Sequence, residues 1–111
     1  SAQGAVRRSA GSAVIRVILP THLWRLAGTQ REIEIEVAGT PTLEKVLDEI
    51  EARYPPLKGT IRDHVTKERR AFIRFFISGE DWSHEPPDTP LPEVIASGQE
   101  PLRIIGALAG G

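Results

Sequence analysis

The stretch REIEIEVAGTPTLEKVLDEIEARY, residues 31–54, changes its apolar period halfway along, and that change decides the fold. In its first part Ile33, Ile35 and Val37 alternate with Glu32, Glu34 and Glu36, the period-two pattern of a strand buried on one face. Further on, Leu43, Val46, Leu47, Ile50 and Tyr54 recur at helical spacing among charged residues, which predicts an amphipathic helix. Pro41 and Thr42 stand where that helix starts, with Thr42 as N-cap, and Pro55-Pro56 ends it. A strand with one apolar face and a helix with one apolar stripe each need a partner layer, and here they follow one another in the chain.

Three further segments alternate in the same way. AVIRVILP (13–20) sets Ile15, Val17 and Leu19 against Arg16. AFIRFFIS (71–78) sets Ile73, Phe75 and Ile77 against Arg74 and Phe76, and PLRIIGAL (101–108) sets Leu102 and Ile104 against Arg103 and Ile105. In each, the arginine falls in the half that faces away from the core, which supports a common register. THLWRLAG (21–28) reads as a helical turn stopped by Gly28, and SGED (78–81) as a tight turn. The proline-rich HEPPDTPLPE (84–93) reads as an irregular connection with a short turn at Thr89–Glu93.

The order is thus strand, strand, helix, strand, short edge piece, strand. It predicts an α+β fold of the β-grasp (ubiquitin-like) kind. Such a fold has a mixed sheet of four to five strands, one main helix on one face, and the last strand beside the first. The opposite face has no covering element and carries Arg16, Ile18, Arg74, Phe76, Arg103 and Ile105. Arginines among apolar groups mark either a protein-binding surface or a solvated face with snorkelling stems.

Composition narrows the function. The chain has 111 residues and a formal net charge of −1, with 40% hydrophobic and 26% charged residues, so it reads as one soluble domain. Neither nucleic acid nor an anionic membrane is favoured by that charge, and no apolar run is long enough to cross a bilayer. A cytoplasmic protein is expected. Residues 1–12 lack the apolar stretch of a secretory signal and read as a disordered leader or expression remnant, leaving residues 13–111 as the domain. The absence of cysteine removes disulfides, thiolate metal sites and cysteine nucleophiles.

The last residues are ALAGG (107–111). One reading is a frayed end or linker remnant. The other is a reagent: a carboxylate becomes a good electrophile once it attacks the α-phosphate of ATP, and that chemistry lies in another protein's narrow site. Glycine passes such a channel because it has no side chain and tolerates nearly any backbone angle. Ala107, Leu108 and Ala109 are uncharged and suited to lie along it.

The pieces VIRVILPTHLWRLAG, EIEIEVAGTPTLEKVLDEIEARYP, FISGED, DTPL and LRIIGALAGG occur in order from about Ala13 to Gly111. Together they resemble the small sulfur-carrier proteins of the MoaD/ThiS family: the small subunit of molybdopterin synthase, thiamine-pathway carriers and cysteine-biosynthesis carriers. The resemblance implies an adenylating partner like a ubiquitin-activating enzyme (E1-like), using ATP and Mg, with no cofactor bound by this chain. A sulfur donor protein then converts Gly111 to a thiocarboxylate, with Gly110 as its small neighbour, and a downstream sulfur-acceptor enzyme consumes it. On this reading the chain is a protein cosubstrate and no enzyme, or the small subunit of a molybdopterin-synthase-like complex. The partner-binding residues expected are Ile18, Pro20, Arg74, Phe76, Arg103, Ile105 and Leu108.

The pattern departs from the family in three places. Pro20 stands where members often carry an aromatic residue, as in some cysteine-biosynthesis carriers. Trp82-Ser83-His84 follows GED where valine and arginine are usual, and SGQEP (97–101) replaces an acidic turn. Pathway and acceptor therefore stay open. So do two other functions: a ubiquitin-like modifier joined through Gly111 to lysine, and a non-covalent β-grasp interaction module.

Other signals are weaker. His22, His64 and His84 match no zinc spacing and read as surface residues, so no metal is expected. No nucleophile elbow supports a serine hydrolase. KERR (67–70) reads as a solvated loop. Trp24 and Trp82 are candidates for exposed partner anchors, and Trp82 has the alternative of covering one end of the core.

Overall fold

In the computed structural model, which describes residues 11–106, the chain runs β1 (Ser12–Ile18), α1 (Thr21–Ala27), β2 (Glu32–Ala38) and α2 (Leu43–Arg53). A 3₁₀ turn (Pro55–Leu57) and a long irregular stretch lead to β3 (Ile73–Ile77), β4 (Glu80–Asp81), α3 (Glu93–Ala96) and β5 (Leu102–Gly106). The strands form one five-stranded sheet in the order β2-β1-β5-β3-β4. β1 and β5 are parallel, and the other neighbours are antiparallel. This is the predicted β-grasp, with the last strand in the middle of the sheet.

Local chemistry sets each boundary. Gly28 caps α1 at a φ of 70°, the left-handed region that a side chain resists, and Thr29 N–H bonds back to Trp24 O at 3.0 Å. Thr42 caps α2, its hydroxyl accepting from Lys45 N–H at 3.2 Å. Between β3 and β4, Ser78 and Gly79 both have positive φ (50° and 81°), as a tight hairpin turn requires. The short turn expected at Thr89–Glu93 is not there; a single helical turn follows instead, at Glu93–Ala96. Pro92 takes its N-cap position, and Pro90 is held extended by a bridge to Thr42.

Alternation places the core as predicted. Ile15, Val17, Ile33, Ile35, Val37, Ile73, Phe75, Ile77, Leu102 and Ile104 are buried beneath Leu43, Val46, Leu47 and Ile50 of α2. Each such side chain contributes about 1.5–3 kcal/mol by leaving water. Leu23 and Ile95, from α1 and α3, plug the same core. Trp24 and Trp82 pack partly buried against it, so Trp82 takes the second of its two expected places, against the core, and Trp24 is not the exposed anchor expected.

The stretch between α2 and β3 carries an organisation that periodicity does not show. Arg62 is buried and forks onto Glu51 of α2, with Nε donating to Oε2 at 2.9 Å and Nη2 to Oε1 at 3.1 Å. Asp48 accepts a further short bond from Nη2. Burial opposes the Arg62 charge, but the bonds from Glu51 and Asp48 outweigh it and raise its pKa above the usual arginine value. KERR is solvated only in its first half: Lys67 and Glu68 are exposed, whereas Arg69 and Arg70 are half-buried, Arg69 donating to Ile73 O at 2.7 Å and Arg70 to Gly59 O at 2.9 Å.

Candidate functional site: the open sheet face

The face opposite α2 is laid out by register. Phe76 of β3 pairs with Arg103 of β5, and Arg74 pairs with Ile105, so these four share one patch. On the other side of β5, Ile18 of β1 pairs with Arg103 and, toward β2, with Glu32. Beyond it the edge strand β2 presents Glu32, Glu34 and Glu36.

Charge on this face is partly spent. Arg16 Nε donates to Glu32 Oε2 at 2.9 Å, and its Nη1 donates to the Gly98 and Gln99 carbonyls at 3.2 and 3.3 Å. That hydrogen bond holds the Glu32 carboxyl below the ordinary carboxylate range and raises Arg16. Arg74 pairs with Asp81 at 3.2 Å. Arg103 is exposed and makes no ion pair among the described residues. Arg16 is thus a brace joining β1, β2 and the turn before β5, while Arg103 stays available.

Ile18 needs correcting. It lies on the open face by alternation, yet it is only 8% exposed. It sits on a central strand between the long cross-strand neighbours Glu32 and Arg103, which stand beside it. Ile105, at 44% exposed, is the apolar residue this face offers to solvent, with Phe76 half-buried. Pro20, Arg31, Arg103, Ile105 and Gly106 line a shallow depression of about 340 Å³ at the end of β5. Four residues expected at a partner site, Ile18, Pro20, Arg103 and Ile105, therefore meet where β5 leaves the sheet. Leu108, Gly110 and Gly111 lie outside the described residues.

Two features escaped the sequence. Arg31 lines the same depression, although nothing in the period of β2 marked it. His22, expected on the surface, is half-buried, with its Nε2 buried and unpartnered among the described residues. A seven-residue helix is too short for periodicity to show which of its side chains turn inward.

A sheet in which the carboxy-terminal strand runs parallel to the first, with one long helix on one face and an open, arginine-bearing opposite face, defines a ubiquitin-like β-grasp protein. Solved structures of that class are similar to it. Small archaeal modifier protein 1 (SAMP1) from Haloferax volcanii superposes with a TM-score of 0.68 at 20% identity, covering 88% of this chain and 99% of that one. SAMP1 from Methanosarcina acetivorans gives 0.67 at 25% identity, with 90% and 98% covered. A chain of the Amycolatopsis orientalis BexX/CysO complex gives 0.65 at 23%, with 86% and 98% covered. These neighbours are ubiquitin-like proteins of the kind the sequence motifs resemble, and the likeness shows the shared fold. No protein-family model and no curated protein matches the sequence.

Proposed function

We propose that the chain is a sulfur carrier of the MoaD/ThiS kind, a protein cosubstrate whose Gly111 carboxyl is the reacting group. The observation that carries this reading is the position of β5. It is the middle strand of the sheet, it ends at Gly106 beside the arginine-bearing depression, and it leads directly into ALAGG. An E1-like partner binds the open face through Pro20, Arg74, Phe76, Arg103 and Ile105, with Leu108 in the channel and Ile18 as their buried support. In the partner's site, using its ATP and Mg, a Gly111 carboxylate oxygen attacks the α-phosphorus and pyrophosphate leaves. Hydrosulfide released by the donor protein adds to the acyl carbon, AMP leaves and the S–H proton passes to solvent, giving the thiocarboxylate. The negative charge shared by sulfur and oxygen makes that group a nucleophile toward the acceptor enzyme's activated substrate. These steps belong to the cytoplasm, and among the described residues no helix is long and apolar enough to cross a membrane.

A second reading has its own support. Two of the similar structures are described as modifier proteins, and the same activated Gly111 can form an isopeptide bond with a lysine. The intact mass of the protein from its native host tests both. Replacement of one oxygen by sulfur, located to Gly111 by fragmentation, supports the carrier. Conjugates on lysine with a plain carboxylate on the free chain support the modifier, and neither product overturns both.

A further inference from the structure

A second concave site lies on the helix side of the sheet, between α2 and the stretch 62–69. It is a cavity of about 480 Å³, within the range of small-molecule sites, and its wall is more apolar than polar. Leu43, Leu47 and Phe75 of the core reach it, and Arg62, Lys67 and Arg69 line it with them. Each arginine is held by other groups with one nitrogen left over. Arg62, its side chain 4% exposed, uses Nε and Nη2 on Glu51 and Asp48, and Nη1 has no hydrogen bond among the described residues. Arg69 uses Nε on Ser83 O at 3.3 Å and Nη1 on the Arg70 and Ile73 carbonyls at 3.1 and 2.7 Å, and its Nη2 has none. Only His22 Nε2 is both buried and unpartnered among the described residues. Both leftover nitrogens therefore reach open space, and the cavity is the space the two arginines share.

The charges around the cavity set what it can hold. Glu51 and Asp48 match Arg62 and Lys67, whose Nζ stands 3.9 Å from Glu51. Arg69 meets carbonyls, and no carboxylate lies within ion-pair distance of it among the described residues. Glu44, Glu68 and Glu85 also line the cavity, but they are exposed, where water and salt screen them. The interior surplus is one positive charge beside an apolar wall. At the rim Lys67 has a φ of 65°, in the left-handed region that a side chain resists. Its N–H donates to Asp63 O at 2.9 Å, and the Asp63 carboxylate accepts from the Val65 and Thr66 amides, each at 2.8 Å. The chain's own bonds thus fix that wall.

We propose that this cavity binds a small monoanionic carboxylate that carries an apolar body. The carboxylate oxygens accept from Arg69 Nη2 and Arg62 Nη1, and the body displaces water from Leu43, Leu47 and Phe75. A dianion such as phosphate fits less well, since its second charge has no counterpart and the rim glutamates repel it. A neutral amide of the same shape offers one acceptor oxygen where the carboxylate offers two, and no charge. The cavity lies apart from the open face, and its ligand does not depend on the carrier reading.

The test titrates the full chain, labelled with ¹⁵N and ¹³C, with phenylacetate, phenylacetamide and acetate, followed by NMR. Phenylacetate is expected to bind about tenfold more tightly than either of the others, because the amide lacks the charge-assisted bonds and acetate lacks the body. Nuclear Overhauser contacts are expected from its ring to the methyl groups of Leu43 and Leu47 and to the Phe75 ring. The guanidinium nitrogens of Arg62 and Arg69 should shift with phenylacetate and not with the amide. Arg69→Met keeps the apolar stem and should lower phenylacetate affinity about tenfold, to that of the amide. The three probes on the wild-type chain decide the question if Arg69→Met does not fold. Three results overturn the assignment: no binding of phenylacetate, equal affinity for phenylacetate and its amide, or contacts only to residues outside this cavity. Each of them leaves the carrier reading as it stands.

Discussion

Replacing Glu51 by leucine strands a buried charge. Arg62 has a side chain 4% exposed, and its two bonds to Glu51, itself 7% exposed, hold the irregular stretch after α2 against that helix. Each charge-assisted bond is worth roughly 1.5–3 kcal/mol, and breaking a buried pair from one side costs about 3–5 kcal/mol. Asp48 stays to share the charge but is 56% exposed, so the lower end applies. Glu51→Leu should therefore lose about 3 kcal/mol, or roughly 15 °C in Tm for a domain of this size. Asp48→Ala should lose only about 0.5–1 kcal/mol, as exposed partners do. The double variant Glu51→Leu, Arg62→Met buries no charge and should return to within about 1 kcal/mol of wild type. Urea unfolding read by tryptophan fluorescence measures all three, because Trp24 and Trp82 both pack against the core. A loss below about 1 kcal/mol for Glu51→Leu, or a double variant as weak as the single, would refute the reasoning.

Acid should weaken the fold through depressed carboxylates. Glu32 is held below its ordinary 4.5 by the Arg16 hydrogen bond, and Asp63 below 3.8 by the Thr66 and Val65 amides. Their stabilisation is complete above those ordinary values and is lost as pH falls through the lower folded ones. Urea midpoints should accordingly drop on acidification below about pH 4, and Glu32→Gln should flatten that slope. Ile95→Ala, at a fully buried site, should cost about 2–5 kcal/mol in the same assay, since it opens a cavity under α3. Arg103→Glu should leave stability within about 0.5 kcal/mol of wild type, as exposed substitutions do. It should nonetheless weaken capture by the activating partner in a pull-down with ATP, and unchanged capture would remove Arg103 from the interface. Deleting Gly110-Gly111 should leave the Tm alone while abolishing thiocarboxylate and lysine conjugates together; a function that survives the deletion would point to the non-covalent module.

By itself the sequence determined every regular element whose burial is periodic. The alternation in β1, β2, β3 and β5 and the stripe of α2 state which side is buried, because side-chain direction in a strand or helix follows from backbone geometry alone. Motif order then placed the last strand beside the first. Only the tertiary structure decided what depends on neighbours distant in the chain. Ile18 has the sequence position of an open-face residue but is closed in by the side chains across from it on β2 and β5. Arg62 looks like a solvated charge and becomes an internal strut on α2, while Arg69 and Arg70 end half-buried, bonded to the carbonyls of Ser83 and Gly59. His22 and Gly106 are 84 residues apart by number and meet only where α1 closes over the end of β5. Local pattern encodes which way a side chain points; what it meets there is set by the packing of the whole sheet.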